Sequence, residues 1–254
     1  DLDPQLHADI IYGGSGPDQI HGGLGDDHLH GRSGDDQIWG DDGSDRILGE
    51  AGNDTIQGGN DGDYLYGGED EDVIAGDDGD DHLEGQEGSD LLWGGRLEFG
   101  SDNNPTFQWP NLPEIITASY AGQSLPGAPD DGEDTLLGGD DSDLLFGGSE
   151  RDLLYGGAGS DYLDGGAGND ELSGQQERDF IRGGIDEDTL RGGDGIDLLW
   201  GDDGTDHLFG DTVGSDVGAF QELRGGLGND FLYAWAHPSS GAVEHIYGDE
   251  GDDF

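Results

Sequence analysis

Apolar residues recur at every ninth position along most of the chain. When the sequence is divided into blocks of nine from Gly13, the eighth position is Ile or Leu in all of the first nine blocks. Together with its two neighbours it forms a short alternating segment, typical of a strand that points one side chain inward. The pattern therefore predicts a regular array of very short strands. Their central residues are Ile20, Leu29, Ile38, Ile47, Ile56, Leu65, Ile74, Leu83 and Leu92.

The other six positions of each block are rich in glycine and end in aspartate. Glycine permits positive φ and a close approach of neighbouring backbones. These positions therefore predict a tight turn, and one turn with one three-residue strand makes half a coil. Asp occupies the sixth position in every one of the first nine blocks. A repeat this regular indicates a solenoid rather than a conventional globular core.

The repeat continues to the end of the chain with three interruptions. We expect a single continuous solenoid domain over residues 1–254. The long insertion contains five of the eight prolines, which is typical of an irregular flap that lies against the solenoid. The parts are a half-repeat at 1–12, regular repeats at 13–93, a repeat at 94–137 with an insertion at 96–130, regular repeats at 138–209, and irregular repeats with short insertions at 210–254.

The pattern resembles the RTX nonapeptide repeat, G-G-x-G-x-D-x-U-x, in which U is apolar. The block GGSGPDQIH at 13–21 and the block GGLGNDFLY at 225–233 contain the whole motif. The resemblance covers residues 9–254 except the insertions, and it implies two nonapeptides per coil. The expected fold is all-β, a right-handed parallel β-roll or β-solenoid of about eleven coils, with one long and two short loop insertions.

The resemblance also implies that Ca²⁺ lies between successive loops, held by the sixth-position Asp and by loop carbonyls. Carboxylates stacked about 4.8 Å apart repel each other unless a cation separates them. Oxygen ligands suit Ca²⁺ and suit zinc or copper poorly. Stacking allows up to about 20 ions, and binding would then be coupled to folding. The expected ligands are Asp18, Asp27, Asp36, Asp45, Asp54, Asp63, Asp72, Asp81, Asp90, Asp134, Asp143, Asp152, Asp161, Asp170, Asp179, Asp188, Asp197, Asp206, Asp230 and Asp253.

Some loops depart from the motif. In two expanded blocks Gln221 and Glu244 replace the sixth-position Asp, so these loops are expected to lack the standard site. An acid at the fourth position either adds a ligand or weakens the site by altering the loop. Where Arg151 or Arg178 follows that acid we expect a weakened site, because a guanidinium can replace the charge of the ion. The fourth-position acids are Asp61, Asp70, Asp141, Glu150, Glu177 and Asp186.

The charge of the chain excludes several classes of partner. There are 61 acidic residues against 8 basic ones, for a formal net charge of −53. Such a surface repels phosphate, so neither nucleic acid nor an anionic membrane is an expected partner. A disordered polyanion that binds Ca²⁺ diffusely is the alternative, but it would not require an aliphatic residue at the eighth position of each block.

Neither an enzyme nor a membrane protein is expected. The sequence contains no G-x-S-x-G or H-E-x-x-H motif, and the eight histidines are scattered. No apolar run approaches the length of a membrane span. There is no cysteine and no methionine, and no signal peptide is recognisable, so the N-terminus is not expected to be the native translation start.

One strip of outward positions is unusually apolar. The insertion at 96–130 is one candidate to cover it, and a contact surface for another protein chain is the other. The strip comprises Val73, Ala75, Leu91, Trp93, Leu144, Phe146, Tyr162, Phe180, Leu198 and Trp200.

The resemblance implies a secreted module that leaves the cell unfolded by type I secretion and folds in extracellular calcium. The first functional hypothesis is a segment of an adhesin or matrix fibre, with open strand edges that favour end-to-end stacking of copies. The second is the C-terminal secretion and folding module of an exported protease, lipase or polysaccharide epimerase. The third is the receptor-binding part of a toxin. The large number of repeats favours the fibre.

Overall fold

The computed structural model describes residues 8–95, 132–210, 220–233 and 243–254. These residues form twenty-two β-strands and no helix. Accordingly, no helix that could cross a membrane is found in this part of the chain. The predicted fold class, an all-β parallel solenoid, is confirmed.

Alternate strands build two parallel sheets of eleven strands each. Sheet A contains β1 (Ile10–Ser15), β3 (His28–Ser33), β5 (Arg46–Ala51), β7 (Tyr64–Glu69), β9 (His82–Glu87), β11 (Thr135–Asp140), β13 (Leu153–Ala158), β15 (Glu171–Gln176), β17 (Thr189–Asp194), β19 (His207–Phe209) and β21 (Phe231–Tyr233). Sheet B contains β2 (Gln19–Leu24), β4 (Gln37–Asp42), β6 (Thr55–Asn60), β8 (Val73–Asp78), β10 (Leu91–Trp93), β12 (Leu144–Ser149), β14 (Tyr162–Ala167), β16 (Phe180–Ile185), β18 (Leu198–Asp203), β20 (Phe220–Leu227) and β22 (Val243–Glu250).

Equivalent positions of alternate blocks pair with each other. Leu29 lies between Ile11 and Ile47 in sheet A, at a spacing of 18 residues. The ladder also joins the strands on either side of residues 96–131, where Leu83 pairs with Leu136. Residues at the same position of alternate blocks therefore lie directly above one another along the solenoid axis. We call each such row of residues a column.

The core is formed by the eighth-position aliphatic residues of both sheets. From Leu29 to Leu223 these side chains are fully buried, and Ile20 near the first coil is 4 % exposed. Ile11 and Leu232 pack half-buried against the ends of the same cluster. Each such residue removes one aliphatic side chain from water, worth about 2 kcal/mol.

The strands are longer than the three residues predicted from the alternation. Most contain six residues, because positions one to three of the next block stay in the ladder: Gly14 pairs with Arg32, and Ser15 with Ser33. The second position has positive φ whether it is Gly23 (105°) or Asp41 (76°). The backbone therefore turns a corner at this position while its hydrogen bonds to the next coil continue.

The apolar strip on the outer side of sheet B is not an open surface. Ala75, Leu91, Leu144 and Tyr162 are buried, and the other six residues of the strip are half-buried. A contact surface for another chain on the half-buried part of the strip stays a prediction. The alternative, cover by the insertion at 96–130, concerns residues outside the described ranges.

Shortening one core residue should destabilise the calcium-loaded solenoid. Leu83→Ala removes a fully buried side chain in the middle of the stack, and we expect a loss of about 2–5 kcal/mol. Leu24→Ala is the control, because Leu24 is 49 % exposed. Denaturant unfolding at saturating calcium measures both, and equal losses would contradict this account of the core.

Candidate calcium sites

The predicted ligand aspartates lie at the ends of the turns, inside the solenoid wall. All of them are at most 3 % exposed, except Asp18 and Asp253 near the two ends of the stack, which are half-buried. Each except Asp253 directly precedes a strand, so its position is fixed by the core residue two places later. Burial of so many carboxylates requires compensation for lost solvation.

One carboxylate oxygen of each predicted ligand except Asp18, the first of its edge, accepts a backbone hydrogen bond. The amide of one aspartate donates to Oδ1 of the aspartate one coil later, at distances of 2.6–3.1 Å. These bonds form two columns. The first edge contains Asp9, Asp27, Asp45, Asp63, Asp81, Asp134, Asp152, Asp170, Asp188, Asp206, Asp230 and Asp253. The second edge contains Asp18, Asp36, Asp54, Asp72, Asp90, Asp143, Asp161, Asp179 and Asp197.

The other carboxylate oxygen, Oδ2, is buried and accepts no hydrogen bond along most of both edges. A buried acceptor without a partner is costly, and such groups are rare in folded proteins. The same oxygen, Oδ2 of the sixth-position Asp, lacks a hydrogen bond in one block after another. This repetition indicates that all of these oxygens bind the same kind of partner. The affected residues are Asp18, Asp27, Asp36, Asp45, Asp54, Asp63, Asp72, Asp81, Asp90, Asp143, Asp161, Asp170, Asp179, Asp188, Asp197, Asp206 and Asp230.

At the first glycine of most blocks, two oxygens lie too close to the backbone to leave room for a side chain. A Cβ atom on Gly58 would lie 2.3 Å from Asp63 Oδ2 and 2.6 Å from the carbonyl oxygen of Gly76, one coil further. A carboxylate and a carbonyl from successive coils are therefore near each other, and both are the kind of oxygen ligand that Ca²⁺ accepts. Any side chain at this glycine would displace them.

The electrostatics of the columns at neutral pH also favour a bound cation. Burial raises the pKa of Asp63 to about 8 and that of Asp72 to about 9. An amide hydrogen bond opposes each rise, and the charges of aspartates in neighbouring coils add to it. Without metal, these carboxyl groups resist ionisation at neutral pH. A divalent cation at Oδ2 would reverse this by stabilising the ionised form.

The ligand chemistry fits calcium better than a transition metal. Nowhere in the described ranges do three or more carboxylate, imidazole or thiol side chains meet as a metal-binding group. Each site would instead combine carboxylates with turn carbonyls, which are hard oxygen ligands. Ca²⁺ accepts such sets in flexible geometry. The residues present therefore fit calcium.

The loops with an acid at position four keep a positive φ. The value is 74° at Glu150 and 73° at Glu177, against 118° at the glycine of a regular loop, Gly52. Arg151 and Arg178 are exposed. Burial raises the pKa of the aspartates one coil later, to about 7 for Asp170 and about 6 for Asp197, and the two arginine charges oppose the rise.

The two edges differ near the C-terminal end. The first edge continues to Asp253, whereas the second stops at Asp197. The next two positions of the second edge are Gln221 and Glu244, whose backbones pair with each other and whose side chains lie outside the described residues. The last coils thus contain an aspartate column on one edge only.

Restoring aspartate on the second edge should add calcium sites. We expect the double variant Gln221→Asp, Glu244→Asp to bind about two more ions, because each new carboxylate would face one in a neighbouring coil. Equilibrium dialysis with ⁴⁵Ca measures the difference. Gln175→Asp is the control, since it adds an acid at an exposed second position. An unchanged stoichiometry in the double variant would contradict the paired-loop site.

Sequence reasoning missed two features of the sites. Asp9 was not among the expected ligands, yet its amide donates to Asp27 Oδ1 at 2.6 Å, and its place in the nine-residue spacing could have identified it. The fifth position also forms a ladder: Asp35 Oδ1 accepts from the amide of Asn53 at 3.2 Å. The frequent Asp, Asn and Ser residues at that position are the corresponding signal.

Stacked turns that present buried carboxylates and carbonyls define the protein as a cation-binding repeat solenoid. The profile of the RTX calcium-binding nonapeptide repeat matches residues 6–38, 39–74, 66–96, 130–163, 137–172, 146–181, 182–212 and 222–237. The chain belongs to this family, and it is a calcium-binding repeat module. A comparison with curated proteins found no match.

Proposed function

We propose that this module is secreted and that it folds outside the cell when Ca²⁺ enters the loops between its coils. The proposal rests on one observation: the columns of buried Asp Oδ2 atoms that accept no hydrogen bond. Each would be satisfied by an ion shared between successive coils. The twenty predicted aspartates would then be ligands, together with the turn carbonyls.

The concentration of calcium would select the compartment in which the chain folds. Extracellular calcium modules bind with dissociation constants of about 10⁻⁴–10⁻³ M, well above the range to which cytosolic sensors respond. A chain of net charge −53 without counter-ions is expanded and so suited to export. Folding after export would follow from the rise in calcium alone.

The structural role that we propose is a rigid segment of an extracellular adhesin or matrix fibre. Eleven strands per sheet, spaced about 4.8 Å apart, give a rod on the order of 50 Å long. Every ion would join successive coils, so the metal would stiffen the rod along its axis. Stacking of copies end to end would extend it.

Small-angle scattering tests the proposed folding. We expect a radius of gyration of about 55 Å at cytosolic calcium and about 20 Å at millimolar calcium. Mg²⁺ at the same concentration should not compact the chain, because it requires smaller, near-octahedral sites. Equal compaction by both ions, or a compact chain at cytosolic calcium, would overturn the proposal.

Electron microscopy tests the proposed fibre separately. Filaments that form with calcium and disappear with chelator would support end-to-end assembly. Single rods at all protein concentrations would overturn the filament and leave a module that assists the export and folding of an attached enzyme.

A further inference from the structure

A second apolar cluster lies on the outer side of sheet B, in the middle of the solenoid. Leu91, Leu144 and Tyr162 are buried in it, and Phe146 and Phe180 pack against them half-buried. The other apolar cluster of the described residues is the core between the sheets. The coils from β10 to β16 therefore have apolar contacts on both sides of sheet B, and these contacts stabilise them beyond what the core alone provides.

A ladder of aromatic rings runs through the same coils and continues into β18. The ring centre of Phe146 lies 4.9 Å from that of Trp93 in the coil before it and 5.5 Å from that of Tyr162 in the coil after it. Phe180 continues the ladder, at 5.3 Å from Tyr162 and 4.7 Å from Trp200. Aromatic pairs at such distances attract each other beyond the effect of the area that they bury. Each pair joins two neighbouring coils without the help of an ion.

An arginine joins three successive coils beside this ladder. Arg182 Nε donates to Asp202, and Arg182 Nη1 lies 3.7 Å from Asp164 Oδ2. Asp164 belongs to β14, Arg182 to β16 and Asp202 to β18, so one guanidinium links a carboxylate on either side of it. The Arg182 side chain is 18 % exposed, against 46 % for Arg224, so its ion pairs are less screened by water. Here the chain supplies its own cation between coils.

The charge density of the middle of the chain is also lower. Residues 151–191 contain 10 acids and 4 arginines, a net charge of −6 over 41 residues, whereas residues 13–93 contain 23 acids and 2 arginines, a net charge of −21 over 81 residues. Burial raises the pKa of Asp170, and the charge of Arg151 opposes that rise. Before any ion is bound, stacking these coils therefore meets less repulsion than stacking the coils of residues 13–93.

We propose that the solenoid starts to fold in the coils from β12 to β18, and that calcium fills the loops of these coils first. Calcium is still required there, since Asp143, Asp161 and Asp179 also have a buried Oδ2 that accepts no hydrogen bond. The other coils then add on both sides, because each new coil stacks on an ordered neighbour. The inference rests on the proposed calcium-dependent folding and adds the order in which its sites are filled.

Hydrogen exchange followed by mass spectrometry, on the whole chain at graded calcium concentrations, tests this order. Peptides from residues 144–203 should become protected at a calcium concentration about twofold or more below that for peptides from residues 19–60. Simultaneous protection of both regions, or earlier protection of residues 19–60, would overturn the order and leave the proposed folding intact. Protection of both regions in EGTA would overturn the order and the proposed folding together.

The variant Arg182→Gln tests the contribution of the ion pairs. It removes the charge that joins three coils, so the calcium midpoint for protection of residues 144–203 should rise about twofold. Arg224→Gln is the matched control, because Arg224 follows Trp200 in the same column but pairs with Glu222 in its own strand, at 2.6 Å. It should leave that midpoint unchanged. Circular dichroism at saturating calcium establishes that both variants are folded.

The variant Phe146→Leu tests the aromatic ladder and keeps the ion pairs. It removes two ring contacts between coils, so the midpoint for residues 144–203 should again rise. Trp39→Leu is its control, because Trp39 also lies at position nine of a sheet B strand but stacks on His21, outside the second cluster. An unchanged midpoint in Arg182→Gln or in Phe146→Leu, or an equal shift in the corresponding control, would overturn the proposal.

Discussion

Gly58→Ala is expected to abolish calcium binding at its loop and to divide the solenoid at that coil. The new Cβ would lie 2.3 Å from Asp63 Oδ2 and 2.6 Å from the Gly76 carbonyl oxygen, so both candidate ligand atoms would have to move. The carbonyl belongs to the backbone, and the Asp63 carboxylate is held in place because its Oδ1 accepts from the amide of Asp45 at 2.7 Å. Both the packing and the metal contact would be lost, so we expect a destabilisation above about 4 kcal/mol.

The effect should spread beyond one loop because a solenoid is stabilised by contacts between neighbouring coils. Hydrogen exchange at saturating calcium should therefore show weaker protection in the coils that contact Gly58. Gly23→Ala is the matched control: nothing lies within 4 Å of its Cβ, and its φ of +105° costs roughly 1–2 kcal/mol. Similar protection and calcium stoichiometry in both variants would refute the proposal that these two oxygens are calcium ligands.

The second large effect concerns pH in the absence of calcium. Burial raises the pKa of Asp45 to about 6, of Asp54 to about 7, and of Asp72 and Asp188 to about 9. In the unfolded chain the same groups titrate near 3.9. The folded metal-free state therefore binds more protons than the unfolded state throughout this range.

The sign of the pH dependence follows from that difference. Groups with a raised folded-state pKa favour folding fully below about pH 4 and lose this contribution as pH rises through about 6 to 9. Each buried aspartate then opposes metal-free folding at neutral pH, by an amount on the order of several kcal/mol. Protons and calcium are thus alternative ways to neutralise the same columns.

We therefore expect the EGTA-treated chain to be disordered at neutral pH and to gain β structure on acidification to about pH 4.5. Far-ultraviolet circular dichroism measures the change. In the variant Asp72→Asn the side chain is neutral at every pH, so its metal-free form should need less acid to fold. A metal-free chain with the same β content at both pH values would contradict the assigned burial of the carboxylates.

The vertical columns were predictable from the sequence because their period is strict. An aliphatic residue at position eight and an aspartate at position six, as in Leu83 and Asp81, require the same environment in every block. A nine-residue period also fixes which residues stack, once two blocks form a coil. The core and the positions of the acidic columns followed from this.

The features that the sequence did not predict, namely strand length, the amide bonds to Asp Oδ1 and the burial of outer residues, depend on contacts between coils. Six-residue strands were missed because Gly13 and Gly14 look like turn residues, whereas the corner at Gly14 keeps the ladder intact. The amide bond from Asp54 to Asp72 Oδ1 exists only when coils are stacked in register. Burial of Leu91 and Leu144 on the outer side could not be read from alternation, which predicts an outward side chain but not what covers it.

The account as a whole requires metal occupancy and β structure to be a single equilibrium. Its most direct test is one calcium titration at neutral pH, started in EGTA, in which bound ⁴⁵Ca and far-ultraviolet circular dichroism are recorded on the same samples. We predict that the two curves coincide and that the β signal is absent at the start. A full β signal that persists in EGTA, before any ion is bound, would contradict the account.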